Sequence, residues 1–292
     1  MTTPGPGSYL ERLATRSAAT GTVLCLGIDP DPAGIPAAFG TGLAGVERVA
    51  LLLVEAASPF AAAVKPNLAF FEAFGSAGIA ALERVRAAIP ASIPVVLDAK
   101  RGDIGPTAAR QAAALFDGLG ADAVTVNPYL GEEAVRPLLE RLDRYAYVLC
   151  RTSNPGASEL QGLVVAADDH AGAPAEPLYA RVARRVAAWG PGGTVGLVVG
   201  ATAPAEMAAI RAIAPGLGFL VPGVGAQGGE IEPVLAAGPA TDAPAGTGTG
   251  RGLLVNVSRG IAGALSGGAP GDPGEAVATA ALGWAARFPV LR

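Results

Sequence analysis

Short runs of consecutive apolar residues recur eight times along the chain, and segments with helical spacing separate them. Continuous apolar runs are typical of strands buried on both faces, and their alternation with helices favours a parallel sheet. Eight strand–helix units in about 250 residues predict an α/β fold, a single (β/α)8 TIM barrel. A doubly wound open sheet is the alternative, but it would not gather all eight strand ends around one pocket. The runs lie at 22–27, 61–64, 95–97, 123–126, 145–150, 195–199, 218–221 and 253–257.

The segments outside this alternation fit one domain that spans residues 1–292. Residues 9–20 have helical spacing and predict a short leading helix before the first strand. Two stretches of small and turn-forming residues, about 156–176 and 238–250, predict flexible loops. We expect both loops to border the pocket.

Polar residues collect directly after the predicted strands. In a barrel these positions converge on the rim at the carboxyl ends of the strands, where barrel enzymes hold their active sites. The candidate rim residues are Asp29, Lys65, Asp98, Lys100, Asn127, Ser153, Gln227 and Arg259.

The segment 95–104 is the most informative part of the chain, because a buried strand runs directly into four charged residues. Side chains alternate along an extended strand, so Asp98 and Lys100 are predicted to point the same way. Asp103 begins the turn into the next helix. An acid beside an ammonium group shifts pKa values and builds functional sites. A surface ion pair at the end of a strand is the simpler interpretation, and the sequence leaves it open.

Lysine is scarce in this chain. Of 21 Lys and Arg residues only two are lysines, Lys65 and Lys100, and both lie at predicted strand ends. A guanidinium stays protonated, whereas an ammonium group can release its proton. The retention of lysine at these two positions therefore indicates a task that arginine does not perform.

The loops after the seventh and eighth predicted strands indicate a phosphate site. They read PGVGAQGG, starting at Pro222, and NVSRGI, which contains Ser258 and Arg259. Barrels commonly bind phosphate at these two loops. Glycines let backbone N–H groups approach an anion, and a guanidinium binds phosphate in a fork. We therefore expect a ligand that carries a phosphate group.

Composition and charge argue against several classes of function. The net charge is −4 and there is no basic run, which argues against a nucleic-acid partner. The most apolar long stretch, 49–64, contains Glu55 and Pro59, so we expect no membrane span. The first residues lack the features of an export signal, and Cys25 and Cys150 lie within predicted strands. We expect buried free thiols and a cytoplasmic location.

The chain has a single histidine, His170, in a predicted polar loop, which gives little support to Ser-His-Asp catalysis or a histidine-based metal site. A metal site on Asp98 and Asp103 stays open, although Lys100 between them would compete with the ion. A Schiff base on Lys100 also stays open, although it usually requires a lysine desolvated in an apolar pocket. A lysine held protonated between acids suits proton donation to a carbanion.

Six motifs follow the strands in order. They read DP, KPN, DAKRGDI, TSNPG, PGVGAQGG and SRG, and begin at Asp29, Lys65, Asp98, Thr152, Pro222 and Ser258. Together they closely resemble the orotidine 5′-phosphate decarboxylase family, above all its longer bacterial branch, and the match is collinear from about residue 22 to 287. The resemblance implies conversion of orotidine 5′-phosphate to uridine 5′-phosphate and CO2, the last step of de novo UMP synthesis. It also implies a homodimer with shared active sites and no cofactor or metal.

The resemblance further implies roles for individual residues. Lys65, Asp98 and Lys100 form an alternating charge array with Asp103 of the partner subunit. Lys100 donates the proton to C6, and Asp98 lies next to the substrate carboxylate. For the substrate, the resemblance implies that Asp29 and Lys65 bind the ribose, with Thr107 of the partner subunit nearby. It implies that Ser153 binds the pyrimidine edge and that Gln227 lies between base and phosphate. The loops of Pro222, Ser258 and Arg259 are implied to bind the phosphate.

Two other functions stay open. One is a Mg²⁺-dependent sugar-phosphate aldolase or decarboxylase on the same barrel, which should carry an acid as metal ligand after the second strand, where this chain has Lys65. The other is a non-catalytic nucleotide-binding protein, which should lack one of the four charges of the array. All four are present in this chain.

Overall fold

Eight parallel strands form the barrel that the apolar runs predict. This computed structural model describes residues 7–168, 172, 174–225, 227–266 and 271–290. The strands follow one another around the sheet in the order β2 (Ala63–Pro66), β1 (Leu24–Ile28), β10 (Leu253–Val257), β9 (Phe219–Val221), β8 (Val195–Val199), β5 (Tyr145–Arg151), β4 (Ala123–Val126) and β3 (Val96–Arg101). Isolated parallel bridges at Val64–Val95 and Asn67–Asp98 join the two end strands. The TIM barrel is therefore confirmed and the open sheet is wrong.

Helices cover the outside of the barrel and bury its outer hydrophobic layer. A short antiparallel hairpin, β6 (Val164–Val165) with β7 (Glu176–Pro177), lies in the connection after β5. Within the described ranges, no helix combines the length and apolar composition that crossing a bilayer requires. The helices are α1 (Tyr9–Thr20), α2 (Gly42–Ala57), α3 (Ala69–Glu72), α4 (Gly75–Ala88), α5 (Gly105–Ala112), α6 (Arg136–Leu139), α7 (Ser158–Gln161), α8 (Leu178–Val186), α9 (Pro204–Ile213), α10 (Ile231–Ala237), α11 (Arg259–Ala262) and α12 (Pro273–Arg287).

Helix α1 closes the amino end of the barrel. Ser8 caps the helix by accepting a hydrogen bond from the N–H of Glu11. The ring of Tyr9 stacks on Tyr145 with centroids 5.0 Å apart, and its hydroxyl lies 3.0 Å from that of Tyr147. These buried tyrosines fill the amino end, so the carboxyl end is left for a pocket.

The segment 238–250 also lies at the amino end. Ala240 and Ala245 are buried in the tyrosine layer, and the N–H of Ala240 donates to the carbonyl of Arg251 over 2.9 Å. The expectation that this segment borders the pocket is wrong, because a connection that leads into a barrel strand meets it at its amino end. The other loop, 156–176, does reach the pocket, through Gln161. The flexibility of both segments stays a prediction.

Candidate active site

A cavity of about 750 Å³ opens at the carboxyl ends of the barrel strands. It brings together nine of the residues that the sequence singles out. Asn127, Asp103 and Thr107 do not line it. The residues brought together are Asp29, Lys65, Asp98, Lys100, Ser153, Pro222, Gln227, Ser258 and Arg259.

Asp98 lies between the two lysines of the chain. Its Oδ2 is 2.8 Å from Nζ of Lys65, and its Oδ1 is 2.5 Å from Nζ of Lys100. Lys65 is only 4% exposed because β2 carries it into the barrel interior, whereas half of the Lys100 side chain faces the cavity. The simpler interpretation, a surface ion pair, is wrong, because one mostly buried carboxylate is shared between two ammonium groups.

Asp98 and Lys65 hold each other in the charged state. Burial alone would raise the pKa of Asp98, but the neighbouring ammonium groups of Lys65 and Lys100 outweigh burial and hold this pKa well below its ordinary value. Burial alone would lower the pKa of Lys65, but the carboxylates of Asp98 and Asp29 outweigh it and raise this pKa. Asp98 and Lys65 therefore keep their charges throughout the neutral pH range.

Acid should destabilise the protein through Asp98. Its pKa is depressed in the folded state, so its stabilising contribution is present above the unfolded-state pKa of about 3.9 and is lost as the pH falls through the folded-state value. A shift of one unit corresponds to about 1.4 kcal/mol. Between about pH 5 and pH 2.5, we expect the wild type to lose about 1 kcal/mol or more of unfolding free energy beyond the loss of Asp98→Asn. Urea denaturation at each pH measures this, and equal losses would contradict it.

The backbone at Lys100 differs from the sequence expectation. Its φ is +49°, in the left-handed region, so Asp98 and Lys100 do not meet through the alternation of an extended strand. The pairing of β3 with β4 shifts register between Leu97 and Arg101. The N–H groups of Ala99 and Lys100 donate instead to the hydroxyl of Thr125, each over 3.0 Å. The proximity of the two charges was predictable, but the backbone that produces it was not.

The two glycine-containing loops after β9 and β10 rest on one side chain of α12. Trp284 donates a hydrogen bond from Nε1 to the carbonyl of Gly260 over 3.0 Å. A Cβ at Gly225, where φ is +77°, or at Gly260 would lie 2.8 Å from the indole. The guanidinium of Arg287 lies over the Trp284 ring, 4.4 Å from its centroid. Sequence reasoning missed Trp284, because a tryptophan on a closing helix is typical of ordinary packing.

Amide and hydroxyl groups form the side of the cavity next to these loops. Ser153 donates from Oγ to Oε1 of Gln227 over 2.9 Å. Gln161 donates from Nε2 to the hydroxyl of Thr152 over 2.8 Å and accepts from the N–H of Thr152 over 2.9 Å. Such groups recognise the alternating donors and acceptors of a heterocycle edge.

Two buried oxygens in the cavity have no hydrogen-bond partner within the described part of the chain. They are Oδ1 of Asp29 and Oδ1 of Asn256. Buried polar atoms are nearly always paired in folded proteins, so these two unpaired acceptors mark Asp29 and Asn256 as candidate ligand-binding residues. Asn256 stands in the motif NVSRGI, but sequence reasoning did not single it out.

Asp103 and Thr107 lie on the rim outside the cavity. The N–H of Asp103 donates to the carbonyl of Ala134, and its Oδ1 accepts from the N–H of Ile104 over 2.7 Å. Ile104 is 57% exposed, and on the neighbouring loop after β4 Tyr129 is 85% exposed. These two residues and Leu130, which is 55% exposed, give the rim an apolar surface beside Asp103.

Comparison with known proteins agrees with this geometry. A model of the orotidine 5′-phosphate decarboxylase / HUMPS family matches residues 22–272. The chain belongs to this family.

Similar proteins align with most of the chain. Orotidine 5′-phosphate decarboxylase of Herpetosiphon aurantiacus is 43% identical over 275 residues, which are 94% of this chain and 96% of that protein. The enzyme of the same name from Thermomicrobium roseum is 48% identical over 255 residues, covering 87% and 86%. The solved structure of Leishmania donovani OMP decarboxylase is 41% identical, covers 96% of each chain and has a TM-score of 0.77.

The charge array disfavours a metal-dependent function within the family. Both oxygens of Asp98 are already bound by ammonium groups, so this carboxylate is not free to bind a cation. At the end of β2, the position where a metal ligand is expected, the side chain is that of Lys65. His170, the one histidine of the chain, lies outside the described residues.

Proposed function

We propose that this protein decarboxylates orotidine 5′-phosphate to uridine 5′-phosphate and CO2. The observation that carries the proposal is the carboxylate of Asp98 held between Lys65 and Lys100, in a cavity whose opposite side holds Arg259. The bond from C6 to the carboxylate breaks, CO2 leaves, and the electron pair stays on C6. Lys100 then donates a proton from Nζ to C6.

The proposed mechanism depends on electrostatic stabilisation. The carbanion at C6 lies in the ring plane, where no π system absorbs its charge. An ammonium group at about 4 Å contributes roughly 4 kcal/mol at an effective dielectric constant near 20. Enzymes lower barriers by about 8 to 23 kcal/mol. Lys100 therefore acts together with the other preorganised charges and with binding energy from the phosphate.

Asp98 adds a second electrostatic effect. Its pKa is depressed, so it is anionic when the substrate carboxylate arrives beside it. Two neighbouring anions repel each other, and the repulsion ends when CO2 leaves. Lys65 keeps Asp98 in place from the buried side through its 2.8 Å ion pair.

The substrate-binding roles follow the chemistry of each part of the cavity. The carboxylate of Asp29, which lines the cavity, accepts from a ribose hydroxyl, and Lys65 lies close enough to interact with this charge. Ser153 and Gln227, which already hydrogen-bond each other, bind the pyrimidine edge and the space between base and phosphate. The loops that contain Pro222, Ser258 and Arg259 hold the phosphate through backbone N–H groups and the guanidinium.

We also propose a homodimer in which each subunit completes the site of the other. The support is the position of Asp103 and Thr107 outside their own cavity, beside the exposed apolar residues Ile104, Tyr129 and Leu130. In the dimer the partner's Asp103 joins the array and the partner's Thr107 lies near the ribose. Apolar side chains of this kind are expected at a subunit interface.

The two cysteines support a cytoplasmic location. Cys25 and Cys150 are both free and buried. Free thiols persist in reducing compartments, whereas exported proteins usually pair them. We therefore keep the cytoplasm as the proposed location.

Ultraviolet absorbance tests the reaction directly. Purified protein is incubated with orotidine 5′-phosphate and excess EDTA, and we expect the orotate band to disappear while uridine 5′-phosphate forms. Turnover of a sugar phosphate only after addition of Mg²⁺ would support the metal-dependent alternative. Nucleotide binding without turnover under either condition would support the non-catalytic alternative.

A further inference from the structure

The hydroxyl of Thr125 lies between strands β3 and β4. Thr125 lies on β4, is 2% exposed and lines the cavity. Its Oγ1 donates to Oδ1 of Asp98 over 2.9 Å and accepts from the N–H groups of Ala99 and Lys100, each over 3.0 Å. One oxygen atom thus contacts both the shared carboxylate and the backbone of the proposed proton donor.

This hydroxyl replaces a missing part of the sheet ladder. Leu97 pairs with Val124 and Arg101 pairs with Val126, so four steps along β3 correspond to two steps along β4. The intervening N–H groups of Ala99 and Lys100 leave the regular ladder and are bound by the Thr125 side chain instead. The ladder resumes where the N–H of Asn127 donates to the carbonyl of Arg101 over 2.8 Å.

The register shift between β3 and β4 is a β-bulge, and it contains Lys100, whose backbone conformation is unusual. The left-handed backbone conformation is unfavourable for a residue that has a Cβ, yet Lys100 has a φ of +49°. Such a conformation persists only where surrounding contacts determine it. The hydrogen bond from the Lys100 N–H to Thr125 is one such contact, and it acts on the residue whose ammonium group must reach C6.

The direction of the third hydrogen bond is also determined. A hydroxyl has one proton to donate and two lone pairs that accept. Because two N–H groups occupy the lone pairs, the proton of Thr125 points to Asp98. This donation favours the anionic carboxylate and fixes the oxygen that Lys100 also binds.

We propose that Thr125 is a positioning residue for the decarboxylation: its hydroxyl holds the left-handed backbone of Lys100 and the carboxylate of Asp98 in the arrangement that aims the ammonium group at C6. This inference rests on the proposed function. A displacement of about 1 Å at a reacting group can cost about 100-fold in rate.

The test compares Thr125→Val with Thr125→Ser. Valine has nearly the shape of threonine but neither donates nor accepts, whereas serine keeps the hydroxyl. We expect kcat of Thr125→Val to fall about 30-fold to 100-fold, while its KM and the Kd for uridine 5′-phosphate change less than about threefold. Thr125→Ser should keep at least about a third of the wild-type kcat, since it can make the same three hydrogen bonds.

Several outcomes would overturn the inference. One is a Thr125→Val enzyme with kcat within about threefold of the wild type, and another is an equal loss of kcat in both variants. A loss of nucleotide affinity parallel to the loss of kcat would point to a general structural role and would overturn it as well. If Thr125→Val does not fold, Thr125→Ala, which also lacks the hydroxyl, is measured in the same way and judged by the same limits.

The wild-type enzyme is assayed in parallel. Wild-type turnover together with a fully active Thr125→Val overturns the positioning role alone. No wild-type turnover of orotidine 5′-phosphate overturns the proposed function, and the role of Thr125 with it.

Discussion

Replacement of Lys100 by alanine should reduce kcat by about 1,000-fold or more, because the electrostatic contribution of roughly 4 kcal/mol and the transferred proton are lost together. The cavity keeps its remaining contacts with the phosphate and the base, so the Kd for uridine 5′-phosphate should stay within about tenfold of the wild type. Lys100 already has a left-handed backbone that alanine tolerates no worse than lysine, so we expect the fold to persist. Steady-state kinetics and equilibrium titration measure the two effects.

Lys100→Arg separates charge from proton donation. A guanidinium keeps the positive charge, but it is a weaker acid than an ammonium group and its planar fork presents its N–H groups in a different geometry. We expect this variant to lose about 100-fold or more in kcat as well. Arg84→Ala, which removes an exposed cation that pairs with Glu47 outside the barrel, serves as the control with normal turnover. Near-normal turnover by Lys100→Ala would refute the proton-donor role.

Two inactive variants should restore activity when their subunits are mixed. Lys100→Ala removes the proposed proton donor from its own site, and Asp103→Asn removes the carboxylate that the partner supplies. In a mixed dimer one site receives both defects and the other receives neither. With equal amounts and free exchange, half of the dimers are mixed, so about a quarter of the wild-type activity should return.

Subunit exchange must be demonstrated independently. Native mass spectrometry of variants with different masses gives the fraction of mixed dimers, and the recovered activity should rise in proportion to it. Each variant mixed with itself is the control and should stay inactive. Mixed dimers without recovered activity would refute the shared site, and a monomeric protein would refute the dimer itself.

The barrel and its rim could be predicted because they depend on simple regularities. Apolar runs at eight positions define strands, and parallel connections place all the carboxyl ends of these strands on one side. Lys65 lies one residue before the end of β2, Asp98 three residues before the end of β3, and Arg259 two residues after the end of β10, so the rule places all three near this rim. The same rule places the segment 238–250, which leads into a barrel strand, at the amino end of the barrel. The prediction that it borders the pocket considered only its composition and was therefore wrong.

The finer geometry depends on contacts between residues distant in sequence. The backbone of Lys100 depends on a hydroxyl 25 residues away on another strand, and no local pattern indicates it. Trp284 supports two loops from the far end of the chain. A tryptophan or a threonine at such a position looks like ordinary packing until the three-dimensional partners are known.

The scarcity of lysine has a practical consequence for chemical labelling. Lys65 is buried, so Lys100 is the one lysine side chain with substantial exposure in the part of the chain that the structure describes. An amine-reactive ester should therefore acylate Lys100 and the terminal α-amino group with little competition from other positions. A nucleotide that fills the cavity should shield Lys100, so the mass of a single peptide would report the fraction of occupied sites.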